Sequence, residues 1–172
     1  MAKSNPVIVV RRARRGDAPE IAYVLHEAFK EYGELYTTAA FSATVPTAAR
    51  IVARMREGPV WVAERGSTIV GTISAAAQGS RLHIRGMAVL PNAQGLGVGL
   101  RLLNHAQRYA ARNGYASLHL ETTPFLTRAI RLYESSGFMR PDRHLHDYHG
   151  TPVLSMVKCL RPVQRDRCGT AK

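Results

Sequence analysis

The run Gln94-Gly95-Leu96-Gly97-Val98-Gly99 constrains this chain more than any other stretch. An apolar, strand-like segment, Met87-Ala88-Val89-Leu90, leads into it and stops at Pro91. An amphipathic helix pattern follows, with Leu102, Leu103, Ala106, Tyr109 and Ala110 on one face. Strand, glycine turn and helix in this order present unpaired backbone N–H groups to an anion. Glycine lets the main chain approach closely, and the helix start adds free donors and partial positive charge. A phosphorylated ligand is therefore expected at this turn.

Spacing sorts the known ways of building such a turn. A P-loop needs Lys and Ser/Thr directly after its second glycine, and no Gly-Lys pair occurs here. A dinucleotide fingerprint would use Gly95 and Gly97 as its first two glycines, but its third falls on Leu100. The acid it wants about 20 residues further on is also misplaced: Ala116 stands there, with Glu121 beyond it. The pattern Q/R-x-x-G-x-G/A is matched at every fixed position by Gln94, Gly97 and Gly99.

A second segment, Ala129-Ile130-Arg131-Leu132-Tyr133-Glu134-Ser135-Ser136-Gly137-Phe138, reads A-x-x-L-Y-E-x-x-G-F. A plausible strand over 116–122 separates the two motifs. On these two motifs, in this order and spacing, the chain resembles the GNAT acyltransferase superfamily over roughly residues 7–160.

Periodicity by itself predicts an α+β domain with a mixed sheet. Val7–Arg11 reads as a first strand. Asp17 reads as an N-cap with Glu20 in a capping box, and Ile21, Val24, Leu25, Ala28 and Phe29 form one buried helical face. A loop with Glu34, Tyr36 and Phe41 leads to a short helix over Thr47–Glu57, capped by Thr44 or Thr47. Val60–Ala63 and Thr68–Ile73 form a hairpin around Gly66. Leu82–Leu90 is a fourth strand, followed by a helix over Gly97–Arg112 that stops at Asn113-Gly114. The 116–122 strand, a helix over Phe125–Ser135, and strands over Phe138–Arg140 and Val153–Leu160 complete the chain. The resemblance makes the sheet seven-stranded and mostly antiparallel, flanked by four helices, with its fourth and fifth strands splayed apart. Residues 1–160 form the single expected domain, and 161–172 is expected to be a disordered basic tail.

The resemblance implies an acetyl-CoA-dependent N-acetyltransferase acting on a primary amine of a small molecule, a peptide N-terminus or a lysine. Amides from Gly95 through Leu96, Gly97, Val98 and Gly99 to Leu100 hold the diphosphate, with Gln94 opening the motif. The backbone of Met87, Ala88 and Val89 pairs with the pantetheine arm as a neighbouring strand would. Tyr133 matches the tyrosine that gives a proton to the departing CoA sulfur. Many members carry Asn where this chain has Leu126, so a side-chain bond to the pantetheine falls to Thr127 or Thr122. An ammonium has no lone pair, so a base must deprotonate the acceptor. Glu34, His83 and Glu121 are the candidates, with a water relay as the alternative. A non-catalytic acyl-CoA sensor or partner-binding module on the same fold is the rival reading.

Composition narrows the rest. The net charge of +12 favours anionic partners and disfavours polycationic ones. Its densest run, Arg11-Arg12-Ala13-Arg14-Arg15, lacks the interleaved aromatics of a single-strand platform, so nucleic acid is not the expected substrate. No apolar run is long enough to span a bilayer, and no signal-peptide core is visible, so a cytoplasmic protein without membrane contact is expected. Two cysteines are too few for a disulfide framework. His144, His146 and His149 share a polar loop without an explicit ligand set, so no metal is expected. That loop is expected to border the acceptor pocket, opposite Tyr32, Tyr36 and Phe41. A homodimer is allowed, as the commonest oligomer.

Overall fold

A computed structural model describes residues 7–160 of the chain. The strands are β1 (Ile8–Arg12), β2 (Val60–Arg65), β3 (Thr68–Gln78), β4 (Arg81–Val89), β5 (Ser117–Thr122), β6 (His146–Tyr148) and β7 (Thr151–Cys159). They form one sheet in the order β1-β2-β3-β4-β5-β7-β6. Every pairing is antiparallel except β4 with β5. Five helices flank it: α1 (Ala18–Phe29), α2 (Thr38–Thr44), α3 (Ala48–Glu57), α4 (Val98–Arg112) and α5 (Thr127–Ser135).

The α+β class, the seven strands and the splayed centre agree with the sequence reading. The helix count differs. The expected loop before α3 contains α2, whose N-cap Thr37 accepts from Ala40 N at 3.1 Å. Thr47 in turn caps α3, accepting from Arg50 N at 3.4 Å. Asp17 precedes α1 but does not cap it with its side chain. Its carboxylate instead accepts from Arg11 Nη1 and from Arg14 N, both at 2.7 Å. Arg11 also bonds Glu64, so part of the basic run is already neutralised within the fold. Arg12 lies over the Trp61 ring, 5.9 Å from its centroid.

The expected strand at 138–140 is also corrected. Gly137 turns with φ +88°, and Met139 makes only a single bridge to Val157. The sixth strand is His146–Tyr148, which pairs with Thr151–Val153 across His149 and Gly150. Both turn residues have positive φ, 51° and 83°, the geometry of a tight two-residue hairpin. The tail and Cys168 lie outside the described residues. Cys159 is disulfide-bonded, although the sequence led us to expect no disulfide framework.

The two helix layers sit on opposite faces of the sheet. A Cβ on Gly71 would meet Val98 Cγ1 at 2.8 Å and Leu102 Cδ1 at 3.0 Å, so Gly71 faces α4. Its neighbour Thr72 shares a small crevice with Ile21 and Leu25 of α1 and Ile51 of α3. Successive residues of a strand point to opposite faces. Residues Val98, Leu102, Leu103, Ala106 and Ala110 of α4 are buried, as their spacing requires.

Two local features create the site. Strands β4 and β5 pair only from Arg81↔Ser117 to Ile84↔Leu120. Beyond that they diverge, leaving one edge of Arg85–Val89 without a strand partner. On the other edge the β3–β4 register slips between Thr72 and Ser74, opposite Gly86. Gly86 has φ +61°, which a glycine adopts without strain, and the resulting bulge bends β4 away from β5.

Candidate active site

Two cavities meet in the fork between β4 and β5. The first, of about 360 Å³, runs from the glycine turn along β4 to α5. Met87, Ala88, Val89, Gln94, Gly95, Gly97, Val98, Gly99 and Leu100 all line it. Leu96 and Thr127, also expected there, do not. Thr122 lines the second cavity instead. Gly95 and Gly97 hold φ of 78° and 76°, a left-handed conformation that glycine adopts without strain. Among the described residues, no backbone carbonyl accepts from the amides of Gly95, Leu96 or Gly97. The first N–H groups of α4 are free by helix geometry. Gly99 serves a different purpose. A Cβ there would meet Leu132 Cδ2 at 3.1 Å and Met87 Cε at 3.2 Å, so its bareness lets α4, α5 and β4 close up. Sequence reasoning missed Arg128, whose Nη1 donates to Gln94 Oε1 at 2.7 Å and adds a cation to this wall.

This cradle fits an extended, phosphorylated ligand. Free amides gather at one end, and an unpaired strand edge lies along the middle. An empty edge of this kind leaves buried backbone groups without partners, which native folds avoid.

The second cavity, of about 290 Å³, lies on the other side of the fork. Its walls include Tyr36, Arg54, His83, Arg85, Glu121 and Tyr148. Met87, Leu126 and Tyr133 line both cavities. Tyr133 is therefore at the junction. Its Oη has one recorded partner, the weak acceptor Met87 Sδ at 3.9 Å. Burial pushes its pKa up to about 12, so the phenol stays protonated at neutral pH. Its ring packs on Phe138, with centroids 5.8 Å apart.

The three base candidates separate. Glu34 lies in the 3-10 turn Lys30–Leu35 and lines neither cavity. His83 and Glu121 both line the second one. The His83 ring stacks on His119 at 4.5 Å, nearly parallel. Burial lowers its pKa to about 4, with the neighbouring His119 and Arg85 contributing. His119 is lowered too, first by burial and then by Arg81. Gln78 Nε2 lies 3.1 Å from His83 Nδ1, and an amide nitrogen only donates, so Nδ1 accepts. His83 is thus held neutral, and its basicity is well below the ordinary histidine range.

A stability prediction follows from His83. Its folded pKa lies below its unfolded value of about 6.5. The unfolded chain therefore binds more protons between pH 6.5 and 4, and stability falls as pH drops through that window. We expect His83→Gln to flatten this fall by about 1–3 kcal/mol, read from urea melts at pH 4.5 and 7. Parallel curves for the variant and the parent protein would contradict it.

Tyr36 and Tyr148 line the second cavity as the sequence led us to expect, whereas Tyr32 lines the first and Phe41 neither. Tyr148 comes from the histidine-rich loop, but His144, His146 and His149 do not reach the cavity. Among the described residues no group of three His, Cys, Asp or Glu is arranged to hold a metal. No helix there is long and apolar enough to cross a membrane.

The sequence pattern of the Acetyltransferase (GNAT) family matches residues 21–138, which include the turn, the fork and Tyr133. The chain belongs to this family. It is an acetyltransferase whose acetyl donor is acetyl-CoA. Among GNAT relatives, the uncharacterized N-acetyltransferase YjgM of Escherichia coli is 31% identical, covering 83% of this chain and 87% of that protein. The uncharacterized N-acetyltransferase YhfO of Bacillus subtilis is 27% identical, covering 80% of this chain and 93% of that protein. The same fold occurs in the PaiA N-acetyltransferase of Thermoplasma acidophilum, crystallised with coenzyme A. It has a TM-score of 0.74 and 16% identity, covering 89% of this chain and 99% of that one.

Proposed function

We propose that this GNAT enzyme transfers the acetyl group of acetyl-CoA directly to a small primary amine, working in the cytoplasm. The observation that carries this is Tyr133, which lines both cavities. In this reading the amides of 95–100 hold the diphosphate, and Met87, Ala88 and Val89 hold the pantetheine arm. The thioester then reaches the junction, and the amine approaches from the second cavity.

The acceptor arrives as an ammonium and gives up one proton to Glu121, directly or through water. The freed lone pair attacks the thioester carbonyl, forming the C–N bond. The C–S bond breaks, and Tyr133 Oη donates its proton to the departing sulfur. The nitrogen, positively charged once the C–N bond has formed, sheds one proton, which returns the phenolate to phenol directly or through solvent, and Glu121 passes its own proton to solvent. Overall, ammonium and thioester become amide, thiol and one proton. Glu121 is preferred to His83 because His83 Nδ1 already accepts from Gln78, which leaves Nε2 carrying the ring proton, whereas a carboxylate only accepts. The size of the second cavity favours a small molecule, since sites for such ligands start at about 300 Å³.

The test is thiol release. The protein is incubated with acetyl-CoA and a panel of amines, and free CoA is followed with a thiol reagent. Acceleration over hydrolysis by at least one small amine is expected. Release that never exceeds hydrolysis, or that occurs only with protein acceptors, would overturn the reading.

A further inference from the structure

The second cavity contains an arginine that, among the described residues, has no carboxylate in ion-pair contact. Arg54, on α3, is mostly buried, and its Nη2 donates to the Ala43 carbonyl at 2.8 Å. Among the described residues no carboxylate lies within the 4.0 Å of an ion pair with it. The bulge at Gly86 makes room for it: a Cβ there would stand 3.4 Å from Arg54 Nη1. A second arginine, Arg85 of β4, lines the same cavity. One of its outer nitrogens is paired with Glu57, but its Nε is buried with no hydrogen-bond partner. Burial and the nearby Arg85 lower the pKa of Arg54, which remains charged.

A buried guanidinium without an anion is costly, and so is an N–H deprived of both water and acceptor. Both arginines line one cavity. An anionic group on the ligand would give Arg54 a counter-charge and add to the field of Arg85, through charge-assisted bonds for which the planar guanidinium is suited. The opposite polarity also has a place, because Glu121 of β5 contributes a carboxylate to the same cavity. Tyr36 and Tyr148 supply apolar wall between these charges. Ala43 and Thr44 of α2 also line this space.

We infer that the acetyl acceptor is a small amino acid, whose carboxylate docks on Arg54 and Arg85 while its amine points to the Met87–Tyr133 junction. This rests on the acetyl-transfer reading given above. It goes further in naming a zwitterion, with the carboxylate as the group that is recognised.

The experiment compares free L-amino acids with their C-terminal carboxamides and with simple alkylamines, using thiol release from acetyl-CoA. At least one free acid is expected to exceed its own amide by about 10-fold or more in kcat/KM, mainly through KM. Arg54→Met is expected to bring that ratio close to one. Arg85→Gln is expected to lower it as well, and serves if the Arg54 variant does not fold. The acid-to-amide ratio of the parent protein needs no variant. In parallel, calorimetry on the CoA-bound protein should show heat of binding for the preferred acid and not for its amide. Amides or alkylamines accepted as well as the free acids would overturn this inference while leaving acetyl transfer to amines intact. No release with acids, amides or alkylamines would overturn both. A preference for the acid that survives loss of both arginines would overturn the assignment of Arg54 and Arg85.

Discussion

Tyr133→Phe is expected to lower kcat by about 10²–10⁴-fold, the usual contribution of a positioned general acid, with CoA affinity unchanged. The hydroxyl is the only atom removed. Its partner in the resting protein is a thioether sulfur 3.9 Å away, so little stability goes with it. The ring keeps its packing on Phe138. A thiol in water titrates near about 8.5, and a thiolate formed in an apolar fork is more basic still. A phenol raised to about 12 can protonate it and is not itself lost to alkali below that pH. The account therefore also expects no alkaline fall in kcat from this group before about pH 11. Steady-state kinetics across pH, with CoA binding measured separately, checks both parts. A Phe variant with the parent's kcat would remove Tyr133 from the chemistry.

Gly97→Val should reduce CoA affinity by about 10-fold or more and destabilise the fold by about 1–2 kcal/mol, the cost of holding a side-chain-bearing residue left-handed. Gly97 has φ +76° and opens α4. A Cβ at this position meets nothing within 4 Å, so crowding does not explain the effect. The cost comes from the backbone. If φ relaxes to a negative value, the amides of 95–97 no longer converge. Asn tolerates this conformation better than a β-branched residue, so Gly97→Asn should retain much more affinity than Gly97→Val. Calorimetric titration with CoA decides the matter. Equal affinities for the parent, Asn and Val proteins would mean that the turn is not the phosphate site.

The glycine turn was legible in the sequence because what it offers is main-chain chemistry. Amides carry no side-chain identity, so only glycines at fixed spacing can mark where they are exposed, and Gly95 and Gly97 did so. Gly99, in the same motif, lines the cavity and also has a packing role that the motif does not show. Its bareness is needed where Leu132 and Met87 press against α4. Helix α4 could be read from its period because one buried face dominates it.

The second cavity could not be read in this way. Arg54 belongs to α3, whose residues look like a solvated amphipathic helix, and nothing local shows that a bulge at Gly86 draws its guanidinium inward. Tyr148 reaches the cavity only because the His149-Gly150 turn folds β6 back onto β7. Helix α2 was missed because it is short and has little apolar period, and its cap at Thr37 depends partly on Thr151, more than a hundred residues away. A charged loop residue near aromatic neighbours says nothing of its direction, and Glu34 lines neither cavity. His83 could be placed on a strand by sequence, but its lowered pKa depends on burial and on stacking with His119 across a parallel register.

A crystal structure with CoA bound would bear most directly on the arrangement argued here. The diphosphate oxygens should accept from main-chain amides within 95–100 at about 2.7–3.2 Å, and the sulfur should lie within about 4 Å of Tyr133 Oη. A diphosphate bound away from that turn, or a sulfur far from Tyr133 on the other side of the fork, would contradict it.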